Sequence, residues 1–68
     1  MVNSRLLKAA IVEAGYTQAS LSKKLDMTEN TLSSKINGHS KFFIEEATTI
    51  CELLNITDDK RKVQIFLA

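Results

Sequence analysis

The near absence of residues that interrupt helices is the feature that most restricts this fold. The 68-residue chain contains no proline, and its two glycines are Gly15 and Gly38. The alternation of apolar and polar residues that marks a half-buried strand is also missing. Apolar residues instead recur with a period near 3.6 residues in five segments. The sequence therefore predicts an all-α fold built from five short helices.

The first three predicted helices are delimited by capping residues. Helix one spans about residues 3–14 and ends before Gly15, which suits a left-handed C-terminal cap. Thr17 is the predicted N-cap of helix two, which runs to about residue 25, and Thr28 is the predicted N-cap of helix three. Helix three is predicted to end at Gly38.

The last two helices are predicted from one apolar stripe and one acidic start. Helix four covers about residues 43–55, and its stripe consists of Phe43, Ala47, Ile50, Cys51 and Leu54. Thr57 is the predicted N-cap of helix five, because Asp58 and Asp59 follow it where acids favour the positive end of a helix.

Size and composition exclude several classes of protein. A chain of 68 residues has room for one domain, residues 1–68. The lone Cys51, the lack of a secretory leader and the lack of a long apolar run predict a cytoplasmic location. No carboxylate pair, cluster of metal ligands, nucleophile with a base or glycine-rich loop is evident, so we expect no enzyme activity, metal, cofactor or small-molecule ligand.

The net charge conceals an uneven distribution. The chain carries +1 overall, yet residues 1–41 hold six basic and three acidic residues, and residues 42–68 hold three basic and five acidic residues. A moderately basic front and a mildly acidic back are weak support for an anionic partner, because so small an excess also arises by chance.

The short connection between helices two and three predicts a helix-turn-helix. Residues 26–28 are too few to join antiparallel helices, and connections of three or four residues build this motif. One small core can form from Leu21, Leu25, Met27, Leu32 and Ile36. The opposite face of helix three carries Asn30, Thr31, Ser33, Ser34 and Asn37. These side chains suit base edges in the major groove, although a polar outer face is also typical of any surface helix.

A family resemblance covers essentially the whole chain. Residues 17–38, TQASLSKKLDMTENTLSSKING, resemble the helix-turn-helix of the lambda-type phage repressor and Cro family. The segments LSSKINGHSKF, ICELLNIT and IFLA resemble short Cro-like regulators of phages and prophages of Gram-positive bacteria. The resemblance implies a compact five-helix lambda-repressor-like domain in which helices two and three form the motif. It also implies a sequence-specific transcriptional repressor that docks helix three in the major groove of a double-stranded operator.

The resemblance and the helix face together nominate the residues that meet DNA. The expected base-facing residues are Glu29, Asn30, Thr31, Ser33 and Ser34. The expected phosphate-facing residues are Thr17, Gln18, Lys23, Lys35, Asn37, His39 and Lys41. The charge of Glu29 has a second interpretation, since an acid also stabilises a helix start. Lys23, Lys35 and Lys41 also have a second interpretation, because they can simply form a solvated face.

The end of the chain is rich in apolar residues. Apolar Val63, Phe66 and Leu67 exceed what the back of so small a domain needs, which favours either closure of the core or a surface for a second copy. A second copy of the chain, forming a homodimer on DNA, is the protein partner we expect.

Two alternative functions remain open from the sequence. One is a protein-binding antirepressor, favoured by low net charge and Glu29, and the other is an antitoxin recognised by a neighbouring toxin.

Overall fold

The computed structural model describes residues 1–67 as five helices joined by short turns. The helices are α1 (Ser4–Glu13), α2 (Gln18–Lys24), α3 (Glu29–Ile36), α4 (Ile44–Leu53) and α5 (Asp59–Phe66). No strand occurs in this part of the chain. The predicted all-α fold of five helices is confirmed.

Helices α2 and α3 begin after the capping residues predicted for them, and α1 begins one residue after its approximate predicted start. Thr17 and Thr28 are the N-caps of α2 and α3, and the Oγ1 of each accepts a hydrogen bond from a backbone N–H three residues later. Asn3 caps α1, since its Oδ1 accepts from the Leu6 N–H at 3.1 Å. These side chains satisfy amide groups that the first turn leaves without a partner.

Helix α4 begins at Ile44, one residue after its approximate predicted start, and the prediction that Phe43 lies in the core is wrong. Phe43 is the N-cap residue of α4 and is 68% exposed. Its predicted place in the core belongs to Phe42, whose ring packs edge-on against Phe66 with centroids 5.6 Å apart. The Oε1 of Glu46 accepts the Phe43 N–H at 2.9 Å, which is the carboxylate half of a capping box, while Phe43 has no hydroxyl to supply the other half.

The predicted cap of α5 is also displaced by one residue. Asp58, and not Thr57, is the N-cap, and its Oδ1 accepts a hydrogen bond from the Lys60 N–H at 3.1 Å. An aspartate caps at least as well as a threonine, and its negative charge favours the positive end of the helix.

One apolar core joins the helices. Its buried members come from all five helices and the turn before α5: Leu7, Ala10, Ile11, Leu21, Leu32, Ile36, Ile50, Cys51, Leu54, Ile56 and Ile65. Helix α1 contacts both α3 and α5, while α2 packs against α3. The start of α1 is also tied down by two hydrogen bonds, from the Asn3 N–H to the Ile65 carbonyl at 2.6 Å and from the Ser4 hydroxyl to the Ile36 carbonyl at 2.5 Å. Helix α3 is therefore buried along one side and open along the other.

Candidate nucleic-acid interface

The turn between α2 and α3 fixes the relative placement of the two helices. Asp26 adopts a left-handed backbone with φ of 57°, which reverses the chain after α2. The Met27 N–H then donates to the Ser22 carbonyl at 3.0 Å. Leu25 and Met27 are half-buried and pack against the core, as the sequence predicts. The two helices therefore form one rigid helix-turn-helix unit.

The inner side of α3 is anchored as predicted. Leu32 and Ile36 have no exposed surface, and neither does Leu21 on α2. Because Leu32 and Ile36 lie four residues apart on α3, they fix both the position of the helix and its rotation about its own axis. The opposite side must therefore face outward.

Of the five predicted base-facing residues, Asn30, Thr31 and Ser34 lie on the outward side, Glu29 lies at the tip of the helix and Ser33 lies at the edge of the face. Glu29, Asn30 and Thr31 are exposed, while Ser33 and Ser34 are half-buried. Two of the five are engaged locally: the Thr28 hydroxyl donates to Thr31 Oγ1 at 2.9 Å, and Asn37 Nδ2 donates to Ser33 Oγ at 3.3 Å. Glu29, Asn30 and Ser34 form no side-chain hydrogen bond within residues 1–67, so these three groups are open to an external partner.

The predicted phosphate-facing residues lie at three places. Thr17 and Gln18 are at the start of α2, where the hydroxyl of Thr17 accepts the Ser20 N–H at 3.0 Å. Lys23 is exposed in the last turn of α2. The exposed side chains of Asn37, His39 and Lys41 follow the end of α3. The structure thus brings the latter three together on one loop, and Lys23 lies at the opposite end of α2 from Gln18.

The prediction that Lys35 faces phosphate is wrong. Lys35 is 7% exposed, and its ammonium Nζ lies 2.5 Å from Glu46 Oε1 and 4.6 Å from the centroid of the Phe43 ring. Its position three residues after the buried Leu32 turns it toward the start of α4 instead of toward solvent. The ammonium is therefore already paired inside the protein.

Glu46, the partner of Lys35, is not among the residues predicted from the sequence. It stands three residues after the N-cap of α4, the acidic position of a capping box, but Phe43 replaces the Ser or Thr that makes this motif recognisable in a sequence. Burial disfavours its ionised form, but the hydrogen bonds from Lys35 and the Phe43 N–H, together with the charge of Lys35, outweigh this effect. The pKa of Glu46 is consequently lowered from its ordinary value of 4.5.

The predicted partner surface is rearranged. Val63 is 50% exposed and Leu67 is 71% exposed, whereas Phe66 is half-buried against Phe42 and so helps to close the core. A larger exposed set, which we call the apolar patch, consists of Met1, Phe43, Ile44 and Leu67. These four side chains line an open cleft of about 560 Å³ beside the loop that follows α3.

Cys51 is buried, and burial raises the pKa of its thiol despite the opposing charge of Lys62. No group of three or more His, Cys, Asp or Glu side chains within residues 1–67 is placed to hold a metal ion. In the same part of the chain, no helix is both long and apolar enough to cross a membrane.

Comparison with known proteins agrees with this geometry. A family model described as helix-turn-helix matches residues 7–60, which include α2, α3 and the turn between them. No curated protein and no solved structure matched the chain in the same comparisons. The match extends over most of the chain and coincides with the structural motif. The chain therefore belongs to the helix-turn-helix family of Cro-like and XRE-like DNA-binding regulators.

Proposed function

We propose that residues 1–68 act as one sequence-specific DNA-binding domain of a Cro-like phage or prophage repressor. The observation that carries the proposal is the open face of α3. The side chains of Glu29, Asn30 and Ser34 are free of internal hydrogen bonds there, and buried Leu32 and Ile36 hold the helix in place. A rigid helix with unengaged polar groups is what insertion into the major groove requires.

Each group on this face has a base edge that it can recognise. The Asn30 amide can pair with the N6 and N7 atoms of adenine, and the Glu29 carboxylate can accept from the N4 group of cytosine. The Ser34 hydroxyl can donate or accept, and the Thr31 methyl can contact the methyl group of thymine. Ser33 lies at the edge of the face, where its hydroxyl already accepts from Asn37.

Phosphate contacts would hold the helix in register on both sides. Thr17 and Gln18, at the start of α2, would contact one segment of the DNA backbone. Asn37, His39 and Lys41, in the loop after α3, would contact another. Lys23 adds charge without sequence preference. By occupying an operator that overlaps a promoter, the bound protein would exclude RNA polymerase.

The apolar patch supports a homodimer as the DNA-binding form. Its four exposed side chains line one cleft. A two-fold axis through the patch would bury these side chains against the same four of a second copy. Two recognition helices about 34 Å apart would then read a pseudo-palindrome.

The test is a titration of labelled duplex followed by fluorescence anisotropy over a series of salt concentrations, with selection of bound sites from a randomised pool. We expect a log–log salt slope of several units and a selected palindrome. Asn30→Ala and Ser34→Ala should each lose the selected preference while keeping full helicity. Gln64→Ala, which removes an exposed amide from α5, is the matched control and should bind as the original protein does.

A protein partner is the second candidate, and the apolar patch together with the low net charge favours it. An antirepressor or antitoxin with this fold would use Phe43, Ile44 and Leu67 to grip another protein. The absence of any duplex binding at low salt would overturn the repressor proposal and support this one.

A further inference from the structure

The loop that joins α3 to α4, residues 37–43, is held unevenly along its length. Its first half is tied to α3, since the Gly38 N–H donates to the Lys35 carbonyl at 3.2 Å and the His39 N–H donates to the Ser34 carbonyl at 2.9 Å. In its second half, the backbone N–H groups of Lys41 and Phe42 donate to no acceptor within the described chain. Side chains must therefore fix this half.

Two side-chain fastenings do so. The first is the edge-on packing of Phe42 against Phe66. The second centres on one carboxylate oxygen, Glu46 Oε1, which accepts from Lys35 Nζ at 2.5 Å and from the Phe43 N–H at 2.9 Å. The same ammonium lies 4.6 Å from the centroid of the Phe43 ring, an attractive cation–π distance. A single atom thereby joins the last turn of α3, the end of the loop and the first turn of α4.

Stability alone does not account for placing a charged pair here. The Lys35 and Glu46 side chains are 9% and 20% exposed, so both lose hydration on folding. Replacing a buried ion pair with apolar groups of similar size is often neutral or stabilising. What the pair supplies, and an apolar contact would not, is a directional bond that determines where the loop ends.

We propose that Lys35 and Glu46 are positioning residues for DNA binding, which fix the loop and its exposed Lys41 relative to the recognition helix α3. The inference rests on the proposed function, because Lys41 is the phosphate-facing cation that the pair would place. Neither Lys35 nor Glu46 itself touches DNA. Their effect is transmitted through Phe43 and the backbone of the loop.

The test uses the double variant Lys35→Met/Glu46→Gln. It leaves the net charge of the chain unchanged, fills the volume of both side chains and keeps an oxygen that can accept the Phe43 N–H. The matched control is Glu13→Gln/Arg61→Met, which removes an exposed ion pair of 3.2 Å between α1 and α5. Duplex binding, the salt slope, the unfolding midpoint and amide hydrogen exchange are measured for each protein.

We expect the double variant to keep the original helicity and midpoint and to lose about tenfold in affinity for its selected site. The salt slope should fall by about one unit, as expected when one cation loses its phosphate. Amide exchange should accelerate at Phe43, the hydrogen-bonded amide of this half of the loop, and stay unchanged at Leu32 and Ile36. The control variant should match the original protein in all four measurements.

Two outcomes would overturn the proposal. One is an unchanged affinity and salt slope in the double variant. The other is a loss of affinity that merely tracks a loss of folded protein at a constant slope, since this would reveal a purely structural pair. If the double variant does not fold, Lys35→Leu/Glu46→Gln, which also keeps the net charge and an acceptor for the Phe43 N–H, is judged by the same outcomes. Failure of the original protein to bind any duplex would instead overturn the proposed function.

Discussion

At the residue scale, Asp26 adopts a backbone conformation that suits glycine better. Its φ of 57° lies in the left-handed region, where an L side chain costs roughly 1–2 kcal/mol. Replacing it by glycine relieves this strain but gives the unfolded chain more freedom. We predict that Asp26→Gly raises the free energy of unfolding by up to about 1 kcal/mol in urea denaturation. A decrease would show that the carboxylate makes a favourable contact.

Gly15 provides the control of opposite sign for Asp26. Its φ is 85°, and a Cβ built on it meets no atom within 4 Å, so substitution changes backbone strain without a clash. We expect Gly15→Ala to lower stability by about 1 kcal/mol.

Glu46 should make stability sensitive to acid. Because folding lowers its pKa, its contribution is present above the pKa of the unfolded chain and is lost as pH falls through the folded pKa. We predict that the free energy of unfolding falls on acidification below about pH 4.5, and that Glu46→Gln flattens part of this dependence. Urea denaturation of the original protein and of Glu46→Gln at pH 7 and pH 3 measures this acid dependence. An identical acid dependence in both proteins would contradict the prediction.

At the scale of the element, the start of α3 depends on one hydroxyl. Thr28 Oγ1 accepts the Thr31 N–H at 3.1 Å and donates to the Thr31 hydroxyl at 2.9 Å. We predict that Thr28→Ala costs about 1 kcal/mol of stability, whereas Thr28→Ser retains most of it. Thermal unfolding of the two variants makes the comparison. Equal losses in both would show that the methyl group matters and the cap does not.

Local signals explain which elements could be predicted from sequence. The caps at Thr17 and Thr28 and the buried positions Leu21, Leu32 and Ile36 follow from spacing within one helix or one turn. Asn30, Thr31 and Ser34 follow from the same helical period, because they lie opposite the buried stripe, whereas Glu29 was nominated by the family resemblance. Their contacts with DNA remain a prediction.

Two of the errors arise where a residue distant in the sequence decides the structure. Three consecutive apolar residues, Phe42, Phe43 and Ile44, fit several helix starts equally well, and contact with Phe66 decides that Phe42 turns inward. Lys35 is a typical surface lysine by composition, and its burial depends on a carboxylate eleven residues further along the chain. Neither contact has a period that a sequence pattern reveals.

At the scale of the whole molecule, the apolar patch limits how tightly two copies can associate. A standard interface buries about 800 Å² on each partner, a large share of a total accessible surface of 4651 Å². We therefore expect weak association in solution that DNA strengthens by holding two copies side by side.

The substitution Ile44→Lys tests this surface. Ile44 is 86% exposed, so a lysine should not disturb the fold, yet it would place like charges across the two-fold axis. We predict loss of association in sedimentation equilibrium and weaker binding to a palindrome, with binding to a half-site retained. Val12→Lys, at a residue that is 73% exposed on α1, is the control and should associate normally. Equal association in the two variants would exclude the patch as the interface.

The hydrogen bond between Asn3 and Ile65 brings the two ends of the described chain together. The ends can therefore be joined and the chain opened at another point while the helices keep their arrangement in space. A short glycine- and serine-rich linker could close the ends, and new termini could be opened at the exposed Thr57. Such a circular permutant would keep α2 and α3 contiguous while its linker starts beside Met1 and Leu67, on the apolar patch. Because the linker lies on the patch, we expect this permutant to bind a half-site of DNA without pairing with a second copy.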